Sequence, residues 1–165
     1  MWTCPKCHHQ FYNKNQAHSC GAYTVDDFLS EKTETGVALF HYFLQRYRDI
    51  GHFELHPVKT RVALLTKMRF CSVNEIGVNY IDFHLVLTTP FRDASCFYKI
   101  DNLADRFFVH HARFCEKEDT TDELKKYMVM AYKIGNRAHV KDKGLETRLK
   151  NSFMLSSLQP LASDH

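Results

Sequence analysis

The sequence predicts an α+β fold, an antiparallel sheet with two main helices packed on one face. Two observations carry that reading. Helical periodicity occupies one stretch before and one stretch after a central block, and within the block apolar residues recur at every second position. Helix, strands, helix is not the alternation of βαβ units, so the sheet should be antiparallel. A third observation sets the N-terminus apart. Three of the six cysteines fall within the first 20 of 165 residues.

The elements follow in chain order. Residues 1–22 read as a compact polar unit rich in Cys and His. Thr24 to Leu29 reads as a short connecting helical turn, with Thr24 as its cap and Asp26 and Asp27 where the helix dipole favours carboxylates. Glu34 to Ile50 is helical, with Val37, Phe40, Phe43, Leu44, Tyr47 and Ile50 on one stripe. Gly51 suits the position just past that helix.

From Val58 to Phe70 the pattern has period two. The even positions are mostly apolar, and Lys59, Arg61, Lys67 and Arg69 stand on the odd side at its two ends. Thirteen residues is long for one strand, so a bend or a second strand is expected. Tyr80 to Leu87 is another strand, with Ile81, Phe83, Leu85 and Leu87 on one side and Tyr80, Asp82 and His84 on the other. Cys96 to Ile100 and Phe107 to Phe114 are further strand candidates. Thr121, Asp122 and Glu123 open a second main helix running to about Ala138, packed through Leu124, Met128, Ala131 and Gly135. The expected domains are thus 1–22, an α+β domain over 23–139, and a polar, mobile tail over 140–165.

Composition bounds the function classes. The chain is 44% hydrophobic and 13% aromatic, enough for a sizeable core, and no run approaches the length of a membrane span. The start, MWTCPKC, lacks the apolar region of an export signal, so a reducing, cytoplasmic setting is expected, without a disulfide framework. Cys71, Cys96 and Cys115 lie among apolar residues and read as small core residues. Net charge is +3, too weak by itself to argue for nucleic acid. No phosphate-binding Gly-rich loop, nucleophile elbow or HExxH helix is present.

The strongest chemistry is at the N-terminus. Cys4-Pro5-Lys6-Cys7 is a CxxC knuckle whose sulfurs can converge on one ion. After ten intervening residues come His18 and Cys20. Three thiolates and one imidazole suit tetrahedral Zn²⁺, and four protein ligands make a closed, structural site. His8 and His9 compete with His18 for the fourth position. The unit has only Trp2, Phe11, Tyr12 and Ala17 to bury, so it should be unfolded without metal.

Trp2-x-Cys4-Pro5-x-Cys7-x-x-x-Phe11, followed by Gln16-x-His18-Ser19-Cys20, resembles the N-terminal knuckle of a bacterial family, domain of unknown function number 5655. Val25 to Leu29, Pro57 to Ala63 with Phe70, Val109 to His111, and Ala131-Tyr132-x-x-Gly135 resemble its later segments in order, so the likeness spans about residues 2–136. The resemblance implies a zinc knuckle fused to a small α+β domain, and Cys4, Cys7, His18 and Cys20 as ligands over His8 or His9. His8 stands where the family usually has Gly, a position that often takes a left-handed backbone. The resemblance implies no activity.

The basic side of the sheet is the second candidate. Lys59, Arg61 and Arg69, with His84 and with His111 beside Arg113, would attract an anionic partner, nucleic acid or a nucleotide-like ligand. The competing account is a solvated face that keeps the sheet soluble. Interleaved aromatics would favour binding, and Tyr80 is the one such residue identified on that side. His84 with Asp82 offers acid–base chemistry as an alternative, and a broad apolar patch would favour a protein-interaction module. His110 and His111 alternate on a strand, so one should pack in the core and the other face outward. The sequence therefore reads as a non-enzymatic zinc-binding module for an anionic partner.

Overall fold

The computed structural model describes residues 1–11, 13–15 and 18–138. Tyr12, Gln16, Ala17 and the tail at 140–165 lie outside the described residues. The architecture is α+β. A two-stranded ribbon, β1 (Trp2–Thr3) and β2 (Gln10–Phe11), precedes the helices α1 (Val25–Leu29) and α2 (Glu34–Ile50). Strands β3 (Glu54–Val58), β4 (Arg61–Leu65), β5 (Arg69–Ile76), β6 (Ile81–Leu87), β7 (Lys99–Leu103) and β8 (Phe107–Phe114) then form one sheet. Its order is β3-β4-β5-β6-β8-β7, antiparallel at every pairing. Helix α3 (Asp122–Gly135) closes the described chain.

The helices begin where side chains satisfy otherwise unpaired N–H groups. Thr24 and Asp27 form a reciprocal capping box on α1. Thr33 Oγ1 accepts from Gly36 N on α2, and Thr121 Oγ1 from Leu124 N on α3. On α2 the buried stripe is Gly36, Leu39, Phe40, Phe43, Leu44 and Tyr47, so Leu39 replaces Val37 at its N-terminal end. Gly51 follows α2 in extended backbone, not left-handed. What demands glycine there is the Tyr132 ring, which lies where a Cβ would stand. The Tyr132 hydroxyl donates to His52 O at 2.9 Å, and its ring meets Phe70 at 5.5 Å. Helix α3 stops at Gly135, short of Ala138, and presses close to the sheet: a Cβ on Gly135 would meet Phe70 Cδ1 at 2.5 Å.

Both main helices cover one side of β5 and β6. Cross-strand partners place Val62, Val73, Phe83 and Ala112 in one inward row, and Leu64, Cys71, Leu85 and His110 in the next. Phe43 and Phe83 rings meet at 4.5 Å at the centre of this core. Cys71 is a core residue, but Cys115 is exposed, since β8 has ended at Phe114.

The period-two run from Val58 to Phe70 divides among three strands, with reversals at residues 59–60 and 66–68. A bulge between β4 and β5 leaves Phe70 as an extra residue between the pairs Leu64–Cys71 and Leu65–Arg69. It turns both Phe70 and Cys71 into the core while Arg69 stays opposite Leu65. A second bulge makes Asn74 the extra residue between the pairs Val73–Phe83 and Glu75–Asp82.

Candidate functional site

Two places hold the chemistry: the N-terminal knuckle and the sheet's outer face. In the knuckle, β1 and β2 bring Cys4 and Cys7 to the end of a tight reversal. His8 N donates to Cys4 O and Cys4 N to His9 O, each at 2.9 Å. The reversal closes through His8 at φ +58°, the left-handed conformation expected at that position. Cys20 and Gly21, also left-handed, return the second pair of ligands.

The ligand atoms of Cys4, Cys7, His18 and Cys20 all lie within 4.8 Å of one another, close enough to hold a metal ion and consistent with zinc. Cys4 and Cys20 sulfurs are 3.7 Å apart, and Cys7 Sγ is 3.2 Å from His18 Nε2. An ion bound tetrahedrally at about 2.3 Å from each sulfur would separate two sulfurs by about 3.8 Å, so the donor set fits. The backbone N–H groups of Cys7 and then Lys6 aim at Cys4 and hold its thiol down to about 6. That favours the thiolate a metal requires. Burial and the neighbouring sulfurs push Cys20 up to about 11, a preference for the thiol that a cation would reverse.

His8 and His9 stand outside this cluster. His8 is exposed. His9 Nε2 donates to Leu55 O on β3 at 2.7 Å. Ser19 Oγ donates to Pro57 O at 3.3 Å. The knuckle therefore docks on the edge strand β3, where Leu55 and Pro57 offer outward carbonyls. Its contact residue is Phe11, 3% exposed, whose ring meets His56 at 5.6 Å and His18 at 4.5 Å. His56, 4% exposed, has no hydrogen-bond partner for either ring nitrogen among the described residues. Burial, then the charges of His9, Arg69 and His18, pushes its pKa down to about 4. Beneath the knuckle, Ala63 and Leu65 are buried although they point outward, which a strand with one solvated side did not foretell.

The rest of the outer face is unevenly exposed: Ser72 and Val86 are buried, His84 and His111 half-buried, and Lys99 exposed. Register aligns His56, Ala63, Ser72, His84, His111 and Lys99 in one row across the sheet. Arg61 and Arg69 flank that row on β4 and β5. His84 and His111 rings are 5.7 Å apart. The bulged Asn74 donates its amide to His84 Nδ1 at 2.8 Å. Burial first, then His111, Arg61 and Arg69, pushes His84 down to about 4, so it is neutral at physiological pH. His111 Nε2 contacts Asp101 Oδ2 at 2.8 Å, and Lys99 meets the same carboxylate at 2.9 Å. Burial and the like charge of Arg61 lower the Arg69 pKa. Among the described residues, neither arginine has a carboxylate within salt-bridge distance.

Other expected members lie elsewhere. Lys59 sits in the β3–β4 turn, lining a different pocket with Asp27, Glu31 and Glu75. Lys67 sits in the β4–β5 turn beside the knuckle. Asp82 is engaged by Arg113 through two bonds of 2.8 and 2.7 Å, beneath Tyr80, so it is not the partner of His84. His110 turns inward, where its Nε2 accepts from Phe91 N at 3.1 Å and its Nδ1 bonds Phe108 O. Sequence reasoning missed Asp101, because β7 begins three residues later than the Cys96 start expected. It also missed Asn74, which only the bulge aims at His84, and His56, which only docking buries. Tyr98 is a second outer-face aromatic, 60% exposed and 6.0 Å from the His111 ring.

No described helix is long and apolar enough to cross a membrane. Compared with protein-family models, curated proteins and solved structures, the chain matches none.

Proposed function

We propose that this chain is a non-enzymatic zinc-binding module whose outer sheet face takes an anionic partner, nucleic acid or a nucleotide-like ligand. Structural Zn²⁺ on Cys4, Cys7, His18 and Cys20 organises the knuckle, and the knuckle covers the sheet's β3 edge. The observation that carries the binding reading is the Arg61–Arg69 pair. Two guanidiniums act on each other and on His84, with no carboxylate in salt-bridge reach among the described residues. Two guanidiniums on one face without a protein counter-charge suit a phosphate-bearing chain, whose oxygens match the guanidinium fork. Tyr98 adds an exposed ring on which a base can stack. His84, whose Nδ1 accepts from Asn74, offers its Nε2–H as a donor. Kinship with the family of domain of unknown function number 5655 belongs to the same proposal, supported by a four-ligand knuckle ahead of an α+β domain.

The test is fluorescence anisotropy with a labelled single-stranded oligonucleotide over a salt series. Affinity should fall linearly in logarithm with salt, and Arg61→Glu should weaken binding by about tenfold or more. Binding indifferent to both salt and that substitution would remove the proposal.

A further inference from the structure

Where the knuckle meets the sheet there is a cavity of about 220 Å³. Its walls come from both units: Phe11 and Asn13 of the knuckle, His56 of β3, Leu65 of β4, and Lys67, Met68 and Arg69 at the β4–β5 turn, with Arg137 after α3. Among the described residues no carboxylate lines it, while Lys67 and Arg69 bring positive charge to it. His56 is part of the wall, 4% exposed, and neither of its ring nitrogens has a partner among the described residues. Leaving a buried imidazole unpaired is costly, and a ligand offering both a donor and an acceptor would recover that cost.

We infer that this cavity is a phosphate pocket, built to seat the phosphoryl group of a phosphomonoester between His56, Lys67 and Arg69. The ligand class follows from the lining. Two cations beside an unpaired imidazole, with no carboxylate among the described lining residues, match a dianion better than a single carboxylate. A phosphomonoester near neutral pH carries acceptor oxygens for the cations and, in its monoprotonated form, a hydroxyl for the imidazole. The volume equals that of about seven waters, enough for the phosphoryl group and the first atoms of whatever carries it. Phe11, Leu65 and Met68 supply an apolar wall for those atoms. The pocket is distinct from the Arg61–His84–His111 face, although Arg69 borders both. It exists only while the knuckle is docked, since Phe11 and Asn13 belong to the knuckle.

The experiment uses the full zinc-loaded chain, titrated by calorimetry with inorganic phosphate and with a 5′-mononucleotide, while the Met68 methyl resonance is followed by NMR. At least one probe should bind saturably and shift Met68. Lys67→Gln, in an exposed turn, should weaken binding by about tenfold, and His56→Phe should do likewise. The Tm of His56→Phe should match or exceed that of the parent, because the variant loses only unpaired nitrogens. Inorganic phosphate should shift Met68 and leave the ring resonances of Tyr98, on the outer face, unmoved. A mononucleotide preference identifies an organic phosphomonoester, and equal affinity identifies phosphate itself; both support the pocket. Absence of saturable binding by either probe, binding unchanged in both cavity variants, or an inorganic-phosphate shift at Tyr98 without one at Met68 overturns it. The last result would assign the phosphate to the outer face and leave the proposed function standing.

Discussion

Stripping the metal should release the knuckle and leave the sheet folded but weaker. What the sheet loses can be counted from the docking contacts. Phe11, 3% exposed, returns to water, worth about 1.5–3 kcal/mol. The bonds from His9 to Leu55 O and from Ser19 to Pro57 O are lost, at about 1 kcal/mol each. The domain over 23–138 should therefore lose about 4 kcal/mol. At about 4 °C per kcal/mol for a chain of this size, its Tm should fall by about 16 °C. The assay is calorimetric melting at neutral pH, with and without a strong zinc chelator, and on Cys20→Ser. The expected trace keeps a cooperative transition at the lower temperature. Fast hydrogen exchange should appear only in the knuckle. A Tm unmoved by complete removal of metal would refute docking as a source of stability. Collapse of the whole fold would refute the independence of the sheet.

Three further outcomes test other parts of the argument. His84 titrates near 4 when folded and near 6.5 when unfolded, so the unfolded chain takes up the extra proton between them. Its contribution, on the order of 3 kcal/mol, is complete above pH 6.5 and lost as pH falls through 4; NMR of the His84 ring in the folded chain checks this, and an ordinary midpoint near 6.5 contradicts it. Gly135→Ala forces a methyl against Phe70 and Thr66, costing about 1–3 kcal/mol, offset by about 1 kcal/mol of helix propensity, so urea melts should show a net loss. Gly51→Ala should be destabilising in the parent and nearly neutral in a Tyr132→Ala background, a coupling of about 1 kcal/mol or more; additive effects would dismiss the close approach.

Much of this protein is written in local patterns. The caps at Thr24 and Thr121, the stripes of α2 and α3 and the alternation through Ile81–Leu87 are set by neighbours within a few residues, and periodicity reads such constraints directly. The Cys4, Cys7, His18 and Cys20 set is local for the same reason, since one short loop returns the second pair to the first. That His110 and His111 face opposite ways follows from strand geometry alone. The outer face is different, because tertiary structure assembles it from strands far apart in the chain. Two bulges, invisible to a period-two count, place Arg69 outward and turn Asn74 onto His84. Asp82 became Arg113's partner, and Asp101 became that of His111, through cross-strand register over some 10 to 31 residues. His56 lies in an ordinary strand sequence until the knuckle buries it. Ligand spacing belongs to the chain, but the walls of a cavity belong to whatever folds against it.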